Sequence, residues 1–246
     1  MNVSVIILAK NAEKLLKDCI ESVNFADEII VIDNNSTDDT KKVAKKLGAR
    51  VLESSEQSFA KRRDIGKEYA KGDWIFYIDT DERVSKELHK NMLSVIAGDA
   101  ATIAAYKIHR QNFYLGNHPW PKIELLERLF KKEKLKGWYG DLHESPEIAG
   151  AVGVLDGYLL HYTHQDLTSM LKKTIVWSDK EAKLRYDAHH PKMTTWRFLR
   201  VMLTAFWDSY ITQGGYQAGT VGFIESTYQA FSMFITYAKL WELQQK

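Results

Sequence analysis

The sequence predicts an α/β protein: a mostly parallel, Rossmann-like central sheet flanked by helices, with a helical extension at the C-terminal side. Three observations carry this. Short β-branched apolar runs alternate with stretches apolar at helical spacing through the first hundred of the 246 residues, and such alternation with short links builds a parallel sheet with helices on its faces. The helical stretches tend to open on Ser, Thr or Asp and close on Gly. From residue 166 onward the pattern is mostly helical, which divides the chain into 1–165 and 166–246.

In order, "VSVIILA" (3–9) is the first strand and "NAEKLLKDCIESV" (11–23) the first helix. "EIIVID" (28–33) is the second strand, followed by a helix over "STDDTKKVAKKLG" (36–48). "RVLES" (50–54) is the third strand, and "FAKRRDIGKEYAKG" (59–72) a helix closed by Gly. "DWIFYID" (73–79) is the fourth strand and "SKELHKNMLSVIA" (85–97) a helix with a Ser cap. Beyond residue 100, "TIAAYKIHRQNFYLG" and "ELLERLFKK" read as longer strands interrupted by "NHPWPK" and by the loop "KGWYGDLHESPE". "VLDGYLLHY" is strand-like, and helices are expected over about 166–187, 194–212 and 218–243.

Composition narrows the function classes. A hydrophobic share of 45% supports a sizeable core, and a formal charge of +2 supplies no basic excess, so no nucleic-acid partner is expected. The single cysteine, Cys19, excludes an intramolecular disulfide and a Cys-built zinc site. The opening "MNVSVIILAKN" has no basic leader region, and no stretch offers the roughly 20 apolar residues of a spanning helix. A cytoplasmic protein is expected.

The chemistry concentrates where "GDWIFYIDTDERV" (72–84) drives an apolar strand into Asp79, Asp81 and Glu82. Ligands of parallel sheets bind at the carboxyl ends of the strands, and Asp33, Asp79 and Asp81 all fall at that edge. Adjacent carboxylates raise one another's pKa unless a cation offsets them. A hard divalent ion, held by one or two carboxylates and by substrate phosphates, suits this pattern. A nucleoside diphosphate is therefore the expected ligand class.

Several ordered segments resemble the inverting glycosyltransferases of family 2, which have the GT-A fold. They are "VSVIILAKNAE", "ADEIIVIDNNSTDDT", "FAKRRDIGKEYAKGDWIFYIDTDERV", "LLERLFKK" and "DLHESPE", continued by "LLHYTHQDL" and "FIESTYQAFSMFITYAKLWEL". In detail the chain is most similar to the bacterial subgroup that glucosylates the lipopolysaccharide inner core. The resemblance implies that Ala9, Asn11 and Glu13 form the first nucleotide-contacting loop and that Asp33 accepts a hydrogen bond from the uracil imide. It implies that Arg63 reaches the diphosphate, that Asp79 faces the ribose or diphosphate, and that Asp81 binds Mg²⁺ or Mn²⁺ directly. His161 is the candidate that completes the metal shell or touches the diphosphate. Glu82 matches a frequent third acid. Asp64 departs from the family's usual Asn. The acceptor hydroxyl must lose its proton as the new bond forms, and the resemblance implies Glu144 as the general base, since members of the subgroup carry a matching acid at the His-Glu pair 143–144, with Asp141 as fallback. Asn11 could also serve as a helix cap, and Trp138 and Tyr139 either stack on an acceptor sugar or pack.

The expected function is metal-dependent, inverting transfer of a sugar from a nucleotide-diphospho-sugar, UDP-linked, to a saccharide or glycolipid acceptor such as a lipopolysaccharide core. Alternatives are a peptide or lipid-phosphate acceptor, and a non-catalytic relic that only binds nucleotide sugar. A nucleotidylyltransferase would show a Gly-rich basic loop after the first strand, where this chain has "AKNAEK". The aromatic and basic helices after residue 166 suit peripheral contact with the anionic inner face of the cytoplasmic membrane, with a homodimer interface as the other reading.

Overall fold

A computed structural model describes residues 2–98, 102–140 and 144–246. The first half follows the alternating pattern: β1 (Val3–Ala9), α1 (Glu13–Ser22), β2 (Glu28–Asp33), α2 (Thr40–Lys46), β3 (Arg50–Glu53), α3 (Phe59–Tyr69), β4 (Trp74–Asp79), β5 (Glu82–Val84) and α4 (Lys86–Ala97). Then come β6 (Ile103–Tyr114), β7 (His118–Lys131), β8 (Leu135–Tyr139), β9 (Ser145–Ile148) and β10 (Ala151–Tyr162). The last part holds α5 (Leu167–Asp187), α6 (Thr195–Trp207), a π-turn at Asp208–Thr212 and α7 (Gly219–Gln244).

The main sheet runs β3-β2-β1-β4-β7-β6-β10-β5. Its first four strands are parallel, and β4 meets β7 and β10 meets β5 in antiparallel register. β1 is buried at all seven positions and β4 is buried from Trp74 to Ile78. Strands covered on both faces read as continuous apolar runs, which is why these two stood out in the sequence. The core lies on either side of them, with Val5, Ile7, Phe76 and Ile78 in one cluster and Ile6, Ile30, Ile75 and Tyr77 in the other.

Two expectations change. The helix expected from residue 36 begins at Thr40, because the preceding loop is used elsewhere: Ser36 N–H donates to the Asp33 carboxylate at 3.0 Å, and Thr37 N–H to Asn11 Oδ1 at 2.8 Å. "NHPWPK" does not interrupt the sheet, since β7 starts at His118 and runs through both prolines. Prolines two apart lose their donors on the same edge of a strand, so the other edge can still pair.

The chain forms two compact units, Met1–Gln111 with Glu124–His161, and Asn112–Ile123 with Tyr162–Lys246. In the second unit, Asp166 caps α5 by accepting from Ser169 N–H at 2.8 Å, within a capping box. α7 packs against both α5 and α6. A buried Glu225 on α7 accepts from Gln229 at 2.7 Å and meets His164 Nδ1 at 3.0 Å. No helix among the described residues is long and apolar enough to cross a membrane.

Candidate active site

The parallel register sets the site. Ala9 on β1 lies opposite Asp33 on β2, and Leu8 opposite Asp79 on β4. Asp33 and Asp79 therefore both lie at the carboxyl edge, one residue out of step and two strand spacings or about 10 Å apart.

At the β2 end, Asp33 is fully buried. Its Oδ2 accepts from Ser36 N–H at 3.0 Å, while Oδ1 has no hydrogen bond among the described residues. An unpaired buried acceptor costs about 1–3 kcal/mol, a cost that a ligand N–H would relieve. Ala9 contributes backbone, its C=O accepting from Asn34 N–H at 2.9 Å. Asn11 is not the helix cap, which is Ala12. It has a left-handed φ of 50° and ties the loop after β2, donating its N–H to Ser36 Oγ at 2.9 Å. Glu13 fastens the same loop, accepting from Asp39 N–H at 3.1 Å and donating its own N–H to Asp38 at 3.2 Å.

At the β4 end the carboxylates are offset by arginines. Arg128 Nη2 donates to Asp79 Oδ2 at 2.9 Å and to Glu82 Oε1 at 2.8 Å. Arg110 Nη1 adds a bond to Glu82 at 3.2 Å, and its other end pairs with Glu124. Glu82 accepts from Asp79 N–H at 3.0 Å and is wholly buried, so it braces the turn after β4. Burial would raise the Asp79 carboxyl, but Arg128 and Arg63 outweigh it and hold the group well below the usual carboxylate range. Burial likewise works against the Arg128 charge, and Glu82 and Asp79 more than restore it.

Arg63, on α3, is buried beneath Trp138, its guanidinium 4.8 Å from that ring. It donates through Nε and Nη2 to Glu144 Oε1 at 3.0 and 2.9 Å, and Nη2 lies 3.6 Å from Asp79 Oδ1. Arg63 Nη1 is buried without a partner among the described residues. One arginine thus joins the candidate base to the Asp-x-Asp segment. Asp141 lies outside the described residues.

Asp81 and His161 face each other, Oδ2 to Nε2 at 3.4 Å, where β5 pairs with β10. That is longer than a good hydrogen bond. A carboxylate oxygen and an imidazole nitrogen are donors that a divalent ion accepts. No group of three His, Cys, Asp or Glu side chains able to hold a metal occurs among the described residues, so an ion here would take its remaining ligands from water and substrate oxygens. The residues fit Mg²⁺ or Mn²⁺ on those terms.

Three further placements follow. Trp138 packs edge-on against Tyr77 and Phe130, at 5.1 and 5.6 Å, whereas Tyr139 is exposed. Asp64 accepts from Trp138 N–H at 3.1 Å and so ties α3 to β8, with burial raising its pKa. Arg128 and Arg110 were not singled out in the sequence. The available signal was an arginine in "LLERLF" immediately before two fully buried residues, Leu129 and Phe130, since a charge next to buried strand positions needs a partner.

The profile of Glycosyl transferase family 2 matches residues 4–154. An uncharacterized glycosyltransferase of Rickettsia typhi is 28% identical over 259 residues, covering 99% of this chain and 88% of the relative. A lipopolysaccharide core biosynthesis glycosyltransferase of Rhizobium meliloti is 26% identical over 252 residues, covering 97% and 92%. Among solved structures, the crystal structure of S. aureus TarS is similar in fold, with a TM-score of 0.50, 13% identity, and coverage of 100% of this chain and 55% of that one.

Proposed function

The chain belongs to glycosyl transferase family 2 and is a glycosyltransferase; from that premise we propose that it catalyses metal-dependent, inverting transfer of a hexose from a UDP-sugar to a hydroxyl of a lipopolysaccharide-core-like saccharide, giving a β-linkage. The observation that carries the reading is the carboxyl edge, where a buried, half-paired Asp33 stands about 10 Å from an arginine-bound Asp79. That interval suits a nucleoside whose base meets one strand end and whose diphosphate meets the other. Support for the acceptor class comes from the Rhizobium relative, whose name places it in lipopolysaccharide core biosynthesis.

In this reading Asp33 Oδ1 accepts from the uracil imide, and Ala9, Asn11 and Glu13 hold the loops around the base. Arg63 offers Nη1 to the diphosphate, and Asp79 is oriented by Arg128 toward the ribose or diphosphate. Asp81 and His161 would hold Mg²⁺ or Mn²⁺, which when bound would supply Lewis acidity toward the leaving diphosphate. Glu144, turned by Arg63, takes the acceptor proton at Oε2. The acceptor oxygen bonds to the anomeric carbon from the face opposite the departing diphosphate, and the bond to that diphosphate breaks. Residues 1–165 form the nucleotide-sugar-binding and catalytic part and 166–246 the helical extension, with the protein placed at the cytoplasmic face of the membrane that carries the acceptor.

Isothermal titration with UDP, with and without Mn²⁺, tests the donor site. Binding is expected to depend on Mn²⁺ and to weaken about tenfold or more in Asp81→Ala, as loss of one of few metal ligands implies. Glu144→Gln is expected to keep UDP binding and lose about 10²–10⁴-fold in transfer rate, the usual worth of a general base. Wild type that binds UDP no better with metal overturns the donor assignment. Full transfer by Glu144→Gln removes that residue as the base.

A further inference from the structure

The strongest unexplained surface lies in the second compact unit. Trp196, Leu203 and Trp207 on α6 are 67%, 66% and 63% exposed, and Leu199 is 51% exposed. Positions 196, 199, 203 and 207 recur at the helical period, so they form one stripe along α6. α7 adds a second stripe through the exposed Phe223, Phe231, Phe234 and Trp241. α6 packs against α7 through residues outside its own stripe, Phe198 lying 5.6 Å from Phe234 and Phe206 6.1 Å from Phe223. A water-facing aromatic surface of this extent marks an interaction site.

The charges select the partner. α6 contains no carboxylate, and its two charges are Arg197 and Arg200. On α7 the one acid before Glu242 is Glu225, which is buried and bonded to His164 and Gln229. Lys192 is exposed just before α6, and Asp208 is exposed just after it. Arg197, Arg200 and Lys192 against Asp208 leave this face net positive, so a second copy set on it by a two-fold axis would bring net positive charge against net positive charge. An anionic lipid surface supplies the missing charge, and tryptophan favours the boundary between headgroups and acyl chains. At 13 residues, α6 is ~20 Å long, a length that lies along a leaflet.

We propose that the exposed stripe of α6 is a docking surface for an anionic phospholipid bilayer. Trp196, Leu203 and Trp207 enter the headgroup boundary while Arg197 and Arg200 meet lipid phosphates. The inference concerns a surface other than the reaction site and does not depend on which sugar is moved.

Vesicle co-sedimentation of the full chain tests it, using phosphatidylcholine vesicles and phosphatidylcholine vesicles with about one quarter phosphatidylglycerol. Wild type is expected to sediment with the anionic vesicles, to be released by salt, and to show a blue shift in tryptophan emission. Leu203→Glu and the double variant Arg197→Glu/Arg200→Glu are each expected to reduce partitioning by about tenfold or more. Their circular dichroism melts should match wild type, since these side chains are at the surface. Failure of wild type to bind anionic vesicles at low salt overturns the proposal, as does undiminished binding by both variants. So does a dimer in sedimentation velocity that Leu203→Glu abolishes, with no vesicle binding, which would assign the face to a second copy. Because UDP binding is measured without lipid, failure here is distinguishable from failure of the donor site.

Discussion

Arg128 is the residue on which the acidic strand end depends. It bonds Asp79 and Glu82 at once, and removing one partner of a buried ion pair costs about 3–5 kcal/mol. Arg128→Met is therefore expected to lose stability of that order in urea denaturation. Asp79 sets a pH dependence with a definite sign. Its folded pKa lies below the ordinary carboxylate value, so its contribution is present above that value and is lost as pH falls through the folded pKa. Melts taken on the acid side should fall less steeply for Asp79→Asn than for wild type. Asp64 has the opposite sign. Burial raises its pKa, so its ionisation opposes folding once pH exceeds the unfolded value. Asp64→Asn, which keeps an acceptor for Trp138 N–H, should melt higher than wild type near neutral pH and equally at about pH 3. The motif Asp79-Thr80-Asp81 was legible from local sequence. The arginines that hold it were not, because Arg128 is 49 positions from Asp79 and becomes its partner only when β7 pairs with β4.

Among the elements, α3 shows how closely the layers are set. A Cβ built on Gly66 would stand 2.5 Å from Ile6 Cγ2 on β1. Alanine is the better helix former by about 1 kcal/mol, yet overpacking of this kind costs about 1–3 kcal/mol. Gly66→Ala is expected to destabilise in denaturant titration, and the cost should shrink measurably in an Ile6→Ala background but not with Ile6→Val, which keeps the offending methyl. The four parallel strands and most of the helices were readable because each carries its own period and caps. β5 was not. It has three residues, and its strand character comes from pairing with Leu159–His161 of β10. The β8–β9 hairpin hid within a loop-like composition for a similar reason, its register containing a bulge.

For the whole molecule, the candidate site residues among those described all belong to one compact unit, Met1–Gln111 with Glu124–His161. Donor binding should then stabilise the fold that assembles it. With UDP and Mn²⁺ at about 100 times the dissociation constant, linkage predicts about 2.7 kcal/mol, or ~5–11 °C in Tm for a chain of this size. Scanning calorimetry should show that rise in wild type and at most about half of it in Asp81→Ala, whose binding is expected to be tenfold or more weaker. The family profile ends at residue 154, yet the Rickettsia and Rhizobium relatives align along nearly the whole chain, so the helical extension is shared with them. Sequence alone determined the α/β class, the succession of strands and helices in the first half and the carboxylates at the strand ends, because hydrophobic period and capping are local properties. Tertiary structure alone decided which cations offset those carboxylates, that Glu82 is a buried brace, that Arg63 links Glu144 to Asp79, and which helix faces stay uncovered. Those outcomes depend on pairing across long sequence separations, where burial and charge are settled by neighbours that no local window contains.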